Sequence, residues 1–449
     1  MKPVYHTSKF KGKQQVDSPH KQYLKRSAGK RLILTAPTPS LMMVVVIPCY
    51  NEPDLLGTLQ HLTQCDQPIS KIEVIVVINS SLSCSKTIQE QNQKSLNEVS
   101  DWLNTATKNW LTIHLLHLPN LPKSNAGVGS ARKIGMDEAI RRLADVNQAE
   151  NGLLICYDAD CRCSPNYFTS IETHFSNQPK SPGTSIYFEH PLDKNEMEKC
   201  GFGKVGQSIS QNEFAGIAAY ELHLRYHVRA QKHINFPYGF QTIGSAMAVR
   251  AWAYVKQGGM NRRQAGEDFY FLQKISWLGK VTELSNAIVY PSPRISDRVP
   301  FGTGKAISSF IKSKHQTSYP LQAYLDIQWL IEQADSLWEF GHFQETPPAP
   351  LATFLEEKFL KDIVPEIRQN STDLEKFRKR FLRWLNAFRL MKYLNRAKDD
   401  FYGSKKVESV AQELLTELRQ PKKSENVIDL LKQYRQLDRN SFKSVEIKN

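Results

Sequence analysis

Four short aliphatic runs, separated by longer polar segments, constrain the fold of this chain most strongly. The runs cover residues 41–47, 72–78, 111–118 and 153–157. The first and last runs are continuously apolar and the two between them are mostly apolar, which is typical of parallel strands that are buried on both faces. The segments between them, such as residues 126–143, have the composition of helices. Because strands that alternate with helices form βαβ units, the sequence predicts an α/β fold with a mostly parallel sheet flanked by helices.

The composition of the chain changes at two places. Residues 1–40 hold nine Lys or Arg and a single acid, Asp17, within a chain whose net charge is +14. We predict that this segment is a disordered basic arm. Residues 41–318 are expected to form the α/β domain. From residue 319 to residue 449, Leu, Lys, Glu and Arg recur with helical spacing, which predicts a C-terminal helical appendage with a polar tail.

Polar side chains follow three of the four predicted strands. The residues in these positions are Pro48, Tyr50 and Glu52 after the first run, Asn79 after the second, and Asp158 and Asp160 after the fourth. Ligands of parallel sheets bind beyond the carboxyl ends of the strands. The sequence therefore predicts a binding site where these side chains meet.

Asp158 and Asp160 are candidate metal ligands. Two carboxylates at positions i and i+2 after a buried strand point into one cleft if the chain turns there. Their hard oxygen atoms suit Mg²⁺ or Mn²⁺, which also bind the oxygens of a diphosphate. The alternative is an ordinary turn in which the aspartates bond to the backbone.

A second acidic pair, Glu267 and Asp268, follows Gly266 and precedes an apolar segment. Acids at a helix N-terminus are stabilised by the helix dipole, which is the structural explanation. The functional explanation is a general base, because a carboxylate can take the proton of an attacking hydroxyl. We assign Asp268 as that base and Glu267 as its neighbour in the catalytic pair.

The segment 125–132 is rich in glycine and begins a predicted helix, which favours contact with an anion. It matches neither a P-loop nor a Rossmann fingerprint. Arg132 and Lys133 lie in the first turn of that helix, so one of them is expected to face the site. A basic loop with Arg294, Arg298 and Lys305 is a further candidate for closing over a diphosphate, and a solvated loop is the alternative.

The order of these motifs resembles that of the family-2 glycosyltransferases, which have the GT-A fold. The resemblance covers residues 41–290 and rests on four pieces. They are residues 44–52 with Pro-Cys-Tyr-Asn-Glu at the end, residues 127–135 with Ala-Arg-Lys, the Asp-Ala-Asp of 158–160, and the Gly-Glu-Asp of 266–268. Any one of them is weak evidence, but four in the family's order are specific.

The resemblance implies that the chain is an inverting glycosyltransferase that moves a single glycosyl unit from a nucleotide-diphosphate sugar with the help of Mg²⁺ or Mn²⁺. By this resemblance the donor would be bound by Pro48, Tyr50, Glu52, Asn79, Arg132 and Asp158. Asp160 and Asp158 would contact the metal, and Asp268 would be the base. A third metal ligand, often histidine, would follow Asp268, where the sequence offers only His315 and His342.

The second strand end departs from the family pattern. It reads Asn79-Ser80-Ser81, without the usual acid that contacts uracil, so the donor nucleoside stays open. The Gln-x-x-Arg-Trp signature of processive synthases is absent, and no apolar run reaches the roughly 18 residues of a spanning helix. The sugar, the acceptor and the oligomeric state also stay open.

We expect a cytoplasmic protein, because no apolar secretion signal begins the sequence. Contact with the inner face of the membrane has two candidate surfaces, the basic arm and the amphipathic stretch 377–398. Packing of that stretch on its own domain is the preferred alternative.

Two other functions remain as rivals. A nucleotidyltransferase also combines a nucleotide fold with metal-binding carboxylates, but it would carry a glycine-rich basic loop after the first strand. A basic protein that binds nucleic acid would fit the net charge of +14. It would leave the acidic clusters unexplained, so no nucleic-acid partner is expected.

Overall fold

An eight-stranded sheet forms the centre of the protein, as seen in a computed structural model that describes residues 17–27, 29–105, 108–203, 208–262, 266–295, 302–421 and 426–446. The strands are β1 (Leu41–Cys49), β2 (Lys71–Ser81), β3 (Leu111–Leu121), β4 (Leu153–Cys156), β5 (Cys161–Cys163), β6 (Gly183–Phe188), β7 (Met247–Arg250) and β8 (Thr282–Pro291). A separate two-stranded antiparallel ladder consists of β9 (Thr317–Ser318) and β10 (Lys405–Lys406).

The strand order in the large sheet is β3-β2-β1-β4-β7-β6-β8-β5. The neighbours β3, β2, β1 and β4 are all parallel, as are β6 and β8. Strand β7 runs antiparallel to both β4 and β6, and β5 runs antiparallel to β8. The predicted α/β class and mostly parallel sheet are therefore confirmed, and the carboxyl ends of β1, β2 and β4 lie along one edge.

Helices cover the sheet and build the C-terminal region. They are α1 (Pro19–Ser27), α2 (Leu55–Thr63), α3 (Lys86–Leu103), α4 (Val128–Asp145), α5 (Tyr167–Asn177), α6 (Lys194–Lys199), α7 (Gln211–His233), α8 (Ala251–Lys256), α9 (Glu267–Ser276), α10 (Thr303–Ser313), α11 (Leu321–Glu332), α12 (Ala334–Glu339), α13 (Ala349–Lys358), α14 (Val364–Gln369), α15 (Leu374–Trp384), α16 (Ala387–Ala397), α17 (Val407–Glu417) and α18 (Val427–Glu446).

Strand β1 is apolar throughout because its successive residues pack into two different cores. Met43 and Val45 pack with α2 and α5, whereas Val44 and Val46 pack with α4 on the opposite face. Helix α4 can approach β1 closely because Gly135 has no Cβ atom. A Cβ atom at this position would lie only 2.4 Å from Cγ1 of Val46. The close approach places the N-terminus of α4 beside the strand ends.

The C-terminal helices share a third core with α7. Phe377, Phe381 and Leu385, which lie on the apolar face of the stretch 377–398, are completely buried in this core. The expectation that the stretch packs on its own domain is confirmed for these three side chains. No helix in the described part of the chain has the length and apolar character needed to cross a membrane.

The described residues between 17 and 40 pack against α4, so the prediction of a disordered arm is wrong for them. The Tyr23 ring is buried, and its hydroxyl donates a 2.6 Å hydrogen bond to Asp137. The backbone N–H of Ile33 donates to Glu138 over 3.0 Å. The acids of α4 thus supply partners that the sequence pattern did not reveal, and the rest of the arm lies outside the described residues.

The end of this segment is fixed by a fully buried ion pair between Glu73 of β2 and Arg142 of α4. Burial alone would raise the pKa of Glu73. Hydrogen bonds from Arg142 and the Thr38 amide, with His114 3.6 Å from the carboxylate, outweigh that effect and lower the pKa to about 2. Glu73 is therefore charged at neutral pH and depends on Arg142 for compensation.

Replacement of Arg142 by Met should lower the free energy of unfolding by about 3–5 kcal/mol, because it leaves the Glu73 charge buried without its main partner. Urea denaturation followed by circular dichroism measures this loss. The double variant Arg142→Met/Glu73→Met is the control and should recover most of it. Equal destabilisation in the single and double variants would contradict the pairing.

Candidate active site

A cavity of about 910 Å³ opens at the edge of the sheet where the parallel strands end. Its wall includes side chains from β1, β2, α4, α7, α9 and the C-terminal region. All the predicted site residues except one line it: Pro48, Tyr50, Asn79, Arg132, Asp158, Asp160, Glu267 and Asp268. The exception is Glu52, which is fully buried behind the wall. The sequence motifs, spread over more than 200 positions, thus meet at one place.

Asp158 and Asp160 lie in the turn between β4 and β5, and both carboxylates are partly exposed to the cavity. Ligand atoms of these two residues and of Cys161 lie within 4.8 Å of one another. Burial raises the pKa of the Cys161 thiol well above its ordinary value. Sulfur is also a softer donor than the oxygen atoms that Mg²⁺ and Mn²⁺ prefer. The two carboxylates are hard oxygen donors and fit a divalent cation.

Arg132 joins the two acidic motifs. Its Nη2 atom donates a 2.5 Å hydrogen bond to Oδ1 of Asp158, and its Nη1 atom donates to Oε1 of Glu267. Gly244 makes room for this arrangement, since a Cβ atom there would lie 2.6 Å from the guanidinium. The side chain is almost fully buried. Arg132 therefore acts as a bridge within the protein, and the direct contact with the donor that the sequence resemblance implied stays a prediction.

Asp268 lies in the first turn of α9, two residues after Gly266. Gly266 has a left-handed conformation, with φ of +69°, which favours glycine at this position. Burial, followed by the negative charge of Glu267, raises the pKa of Asp268 to about 7, against the opposing charge of Arg132. A carboxylate with a pKa near neutrality is suited to accept and release a proton.

Glu52 has a different position from the one expected of a donor-binding residue. One carboxylate oxygen accepts the N–H of Asp54 over 2.9 Å, and the other accepts a hydrogen bond from Arg294. The same nitrogen of Arg294 lies 3.3 Å from Oδ2 of Asp160. Glu52 thus holds Arg294 against a predicted metal ligand. Of the other basic loop residues, Lys305 is exposed outside the cavity, and Arg298 lies outside the described residues.

The glycine-rich loop before α4 is held by Asn79, whose Nδ2 atom donates to the Ala126 carbonyl over 2.9 Å. Asn79 also lines the cavity. Of the two cations at the start of α4, Arg132 faces the cavity and Lys133 turns away. The Lys133 ammonium donates to Asp137 over 2.8 Å, beneath α1.

Sequence reasoning missed a group of rings on α7. Tyr220, His223 and His227 line the cavity, and the buried His190 lies nearby in the same wall. The family resemblance implies a histidine ligand after Asp268, but His315 and His342 are exposed and do not line the cavity. The spacing i, i+3, i+7 of the three α7 residues places them on one helix face. That spacing is the sequence signal by which the three ring residues could have been identified.

Comparison with known proteins gives a family for part of the chain. The sequence model described as Glycosyl transferase family 2 matches residues 44–199. This segment holds most of β1, the glycine-rich loop and the Asp-Ala-Asp motif. No curated protein sequence matches the chain.

Among solved structures, the chain is similar to TarS of S. aureus, with 13% identity and a TM-score of 0.35. That alignment covers 79% of this chain and 55% of TarS. The TarS 1–349 structure in complex with UDP-GlcNAc has 14% identity and a TM-score of 0.36 over 90% of both chains. The mannosyltransferase PcManGT from Pyrobaculum calidifontis, in complex with GDP-Man and Mn²⁺, has 14% identity and a TM-score of 0.32, covering 96% of this chain and 92% of that one. Likenesses this distant carry no information about donor or acceptor.

Proposed function

We propose that this chain, a glycosyltransferase of family 2 with the GT-A fold by its match over residues 44–199, transfers a single glycosyl unit with inversion from a nucleotide-diphosphate sugar. The proposal includes a divalent cation, Mg²⁺ or Mn²⁺, at Asp158 and Asp160, and Asp268 as the general base. The match to a glycosyl transferase disfavours the nucleotidyltransferase alternative.

One observation carries this proposal. Arg132 holds the Asp-Ala-Asp turn and the Glu-Asp pair together, with hydrogen bonds to Asp158 and to Glu267. Asp268 is the next residue after Glu267 and lines the same cavity as Asp160. A donor whose diphosphate lies at the aspartates of the turn would therefore have its sugar near Asp268.

The donor end of the cavity has the groups that a nucleotide sugar needs. Tyr50 and Pro48 offer flat apolar surface for the nucleoside, and Asn79 keeps the loop beside it in place. The two carboxylates fit a divalent cation, which would neutralise charge on the departing nucleoside diphosphate. Arg294 lies next to Asp160 and would supply a further positive charge at the diphosphate.

The chemical step assigned to Asp268 is proton acceptance. The acceptor oxygen forms a bond to the anomeric carbon as the bond from that carbon to the diphosphate oxygen breaks, and the diphosphate leaves with the electron pair. The Asp268 carboxylate takes the proton of the acceptor hydroxyl during attack. Attack opposite to the leaving group inverts the anomeric configuration. Glu267 stays bound to Arg132 and keeps Asp268 beside the sugar.

Titration of UDP and GDP, each with Mn²⁺ and with EDTA, tests the metal-dependent donor site. We expect Mn²⁺ to raise the affinity of at least one nucleotide tenfold or more, which is about 1.4 kcal/mol. Asp160→Ala should remove this gain. Asp101→Ala, an exposed aspartate on α3 outside the cavity, is the matched control. Nucleotide binding that is independent of metal and unchanged in Asp160→Ala would overturn the assignment.

The pH profile tests the base separately. Since the pKa of Asp268 is raised to about 7, the carboxylate forms as the pH rises through that value. We therefore expect kcat/KM to rise about tenfold per pH unit below pH 7 and to level off above it. Nucleotide binding measured over the same range is the control and should change much less. A profile that is flat from pH 5 to pH 8 would exclude Asp268 as the titrating base.

A further inference from the structure

Four rings line one side of the cavity as a continuous wall. Tyr220, His223 and His227 come from one face of α7, and Tyr319 follows β9. The ring centres of Tyr220 and His223 are 6.3 Å apart, as are those of His223 and His227. Tyr319 contacts both histidines, with centres 6.2 Å and 5.9 Å away. We call these four residues the ring wall.

The ring wall begins beside the predicted base. Burial, followed by the charge of Asp268, raises the pKa of Tyr220 to about 12, so the two side chains are within electrostatic reach of each other. From Tyr220 to His227 the helix advances by about 10.5 Å, because each residue adds about 1.5 Å. The ring wall therefore runs from the reaction centre over a length that accommodates two sugar rings.

The ring wall is uncharged at neutral pH. Burial lowers the pKa of His223 to about 4 and, together with the charge of His223, lowers the pKa of His227 to about 3. Among the described residues, the cation against these rings is Lys398, which lies 5.9 Å from the Tyr319 ring centre and does not line the cavity. Among the described residues that line the cavity, the cations Lys123, Arg132 and Arg294 are not part of the ring wall, so the wall itself offers a phosphate or carboxylate group no charged lining side chain.

The two histidine rings are held by one nitrogen each. The Nδ1 atom of His223 lies 2.8 Å from the Ser318 hydroxyl, and that of His227 lies 2.6 Å from the Tyr324 hydroxyl. The Nε2 atoms have no partner within the described part of the chain, and both residues are partly exposed. Rings that are fixed in this way combine apolar surface with hydrogen-bonding groups at their edges.

From this arrangement we propose that the ring wall binds a neutral saccharide acceptor of at least two sugar units, whose terminal hydroxyl lies at Asp268. The apolar faces of sugar rings would pack on the aromatic surface, and sugar hydroxyls would pair with the ring heteroatoms. A purely aliphatic chain would leave those heteroatoms without hydrogen bonds, which costs free energy. The proposal rests on the proposed function, because it places the acceptor beside the base of that reaction.

Ligand-observed NMR with defined sugars tests the proposal on the full chain, loaded with Mn²⁺ and the nucleotide that binds. The probes are cellobiose, chitobiose, lactose and maltose, each paired with its constituent monosaccharides, and octanol as the aliphatic probe. We expect at least one disaccharide to bind about tenfold more tightly than its monosaccharides, as expected when a second ring is stacked. His227→Ala should abolish this difference without changing nucleotide affinity.

Two control variants distinguish a loss of sugar binding from misfolding of the protein. His227→Phe keeps a ring and should keep the preference for the disaccharide. His233→Ala, on the same helix but outside the cavity, should behave as the parent. Absence of any disaccharide preference, or binding of octanol alone, overturns the proposal. Nucleotide binding is read separately, so loss of that signal identifies a failure of the proposed function instead.

Discussion

Replacement of Asp268 by Asn is expected to lower kcat by about 10²–10⁴-fold, the usual contribution of a positioned general base. Asparagine has nearly the same shape but cannot accept the proton of the acceptor hydroxyl. The affinity for the nucleotide diphosphate should remain close to that of the parent, because the donor contacts lie elsewhere in the cavity. Initial rates with a radiolabelled sugar donor and calorimetric titration of the nucleotide give the two readouts.

The matched control for this variant is Asp429→Asn. Asp429 also lies in the first turn of a helix, α18, but it is exposed and outside the cavity. It should leave kcat unchanged. Parental turnover in Asp268→Asn would show that another group takes the proton. Simultaneous loss of turnover and nucleotide binding would indicate that the site has collapsed, which thermal denaturation of the variant would detect.

The sequence predicted the sheet because its signal is local. Each of the runs that became β1 to β4 is a mostly aliphatic stretch, and the helices between them leave few alternatives to parallel pairing. The same local reasoning failed for the residues between 17 and 40. Their order depends on hydrogen bonds to Asp137 and Glu138 of α4, more than 100 positions away, which composition cannot show.

The acidic motifs of the candidate site were also predictable, because each is a short pattern next to a strand or helix end. Their partners were not. Glu52 and Arg294 are separated by 242 positions, and nothing in either local sequence indicates that they pair. The rings on α7 were missed for another reason. Tyr220, His223 and His227 have the spacing of an ordinary core face, and only the cavity beside them distinguishes this face from packing.

Arg132 holds the two predicted acidic motifs together, and its replacement should have the second large effect. Arg132→Met would leave Asp158, Glu267 and Asp268 as a group of acids without the cation between them. Removing one partner of a buried ion pair costs about 3–5 kcal/mol. We expect a loss of this size in the free energy of unfolding at neutral pH, measured by urea denaturation in EDTA.

The same variant separates the two roles that Arg132 combines. Because the freed carboxylates attract a divalent cation more strongly, Mn²⁺ should raise the melting temperature of Arg132→Met more than that of the parent. Turnover should still fall by about 10–100-fold, since the residue that orients a metal ligand is gone. The double variant Arg132→Met/Glu267→Gln removes the most buried of these acids together with its partner, so it should recover stability but not turnover. Full activity in the single variant would mean that the Asp-Ala-Asp turn and the Glu-Asp pair do not need this bridge, and the mechanism would lose its structural basis.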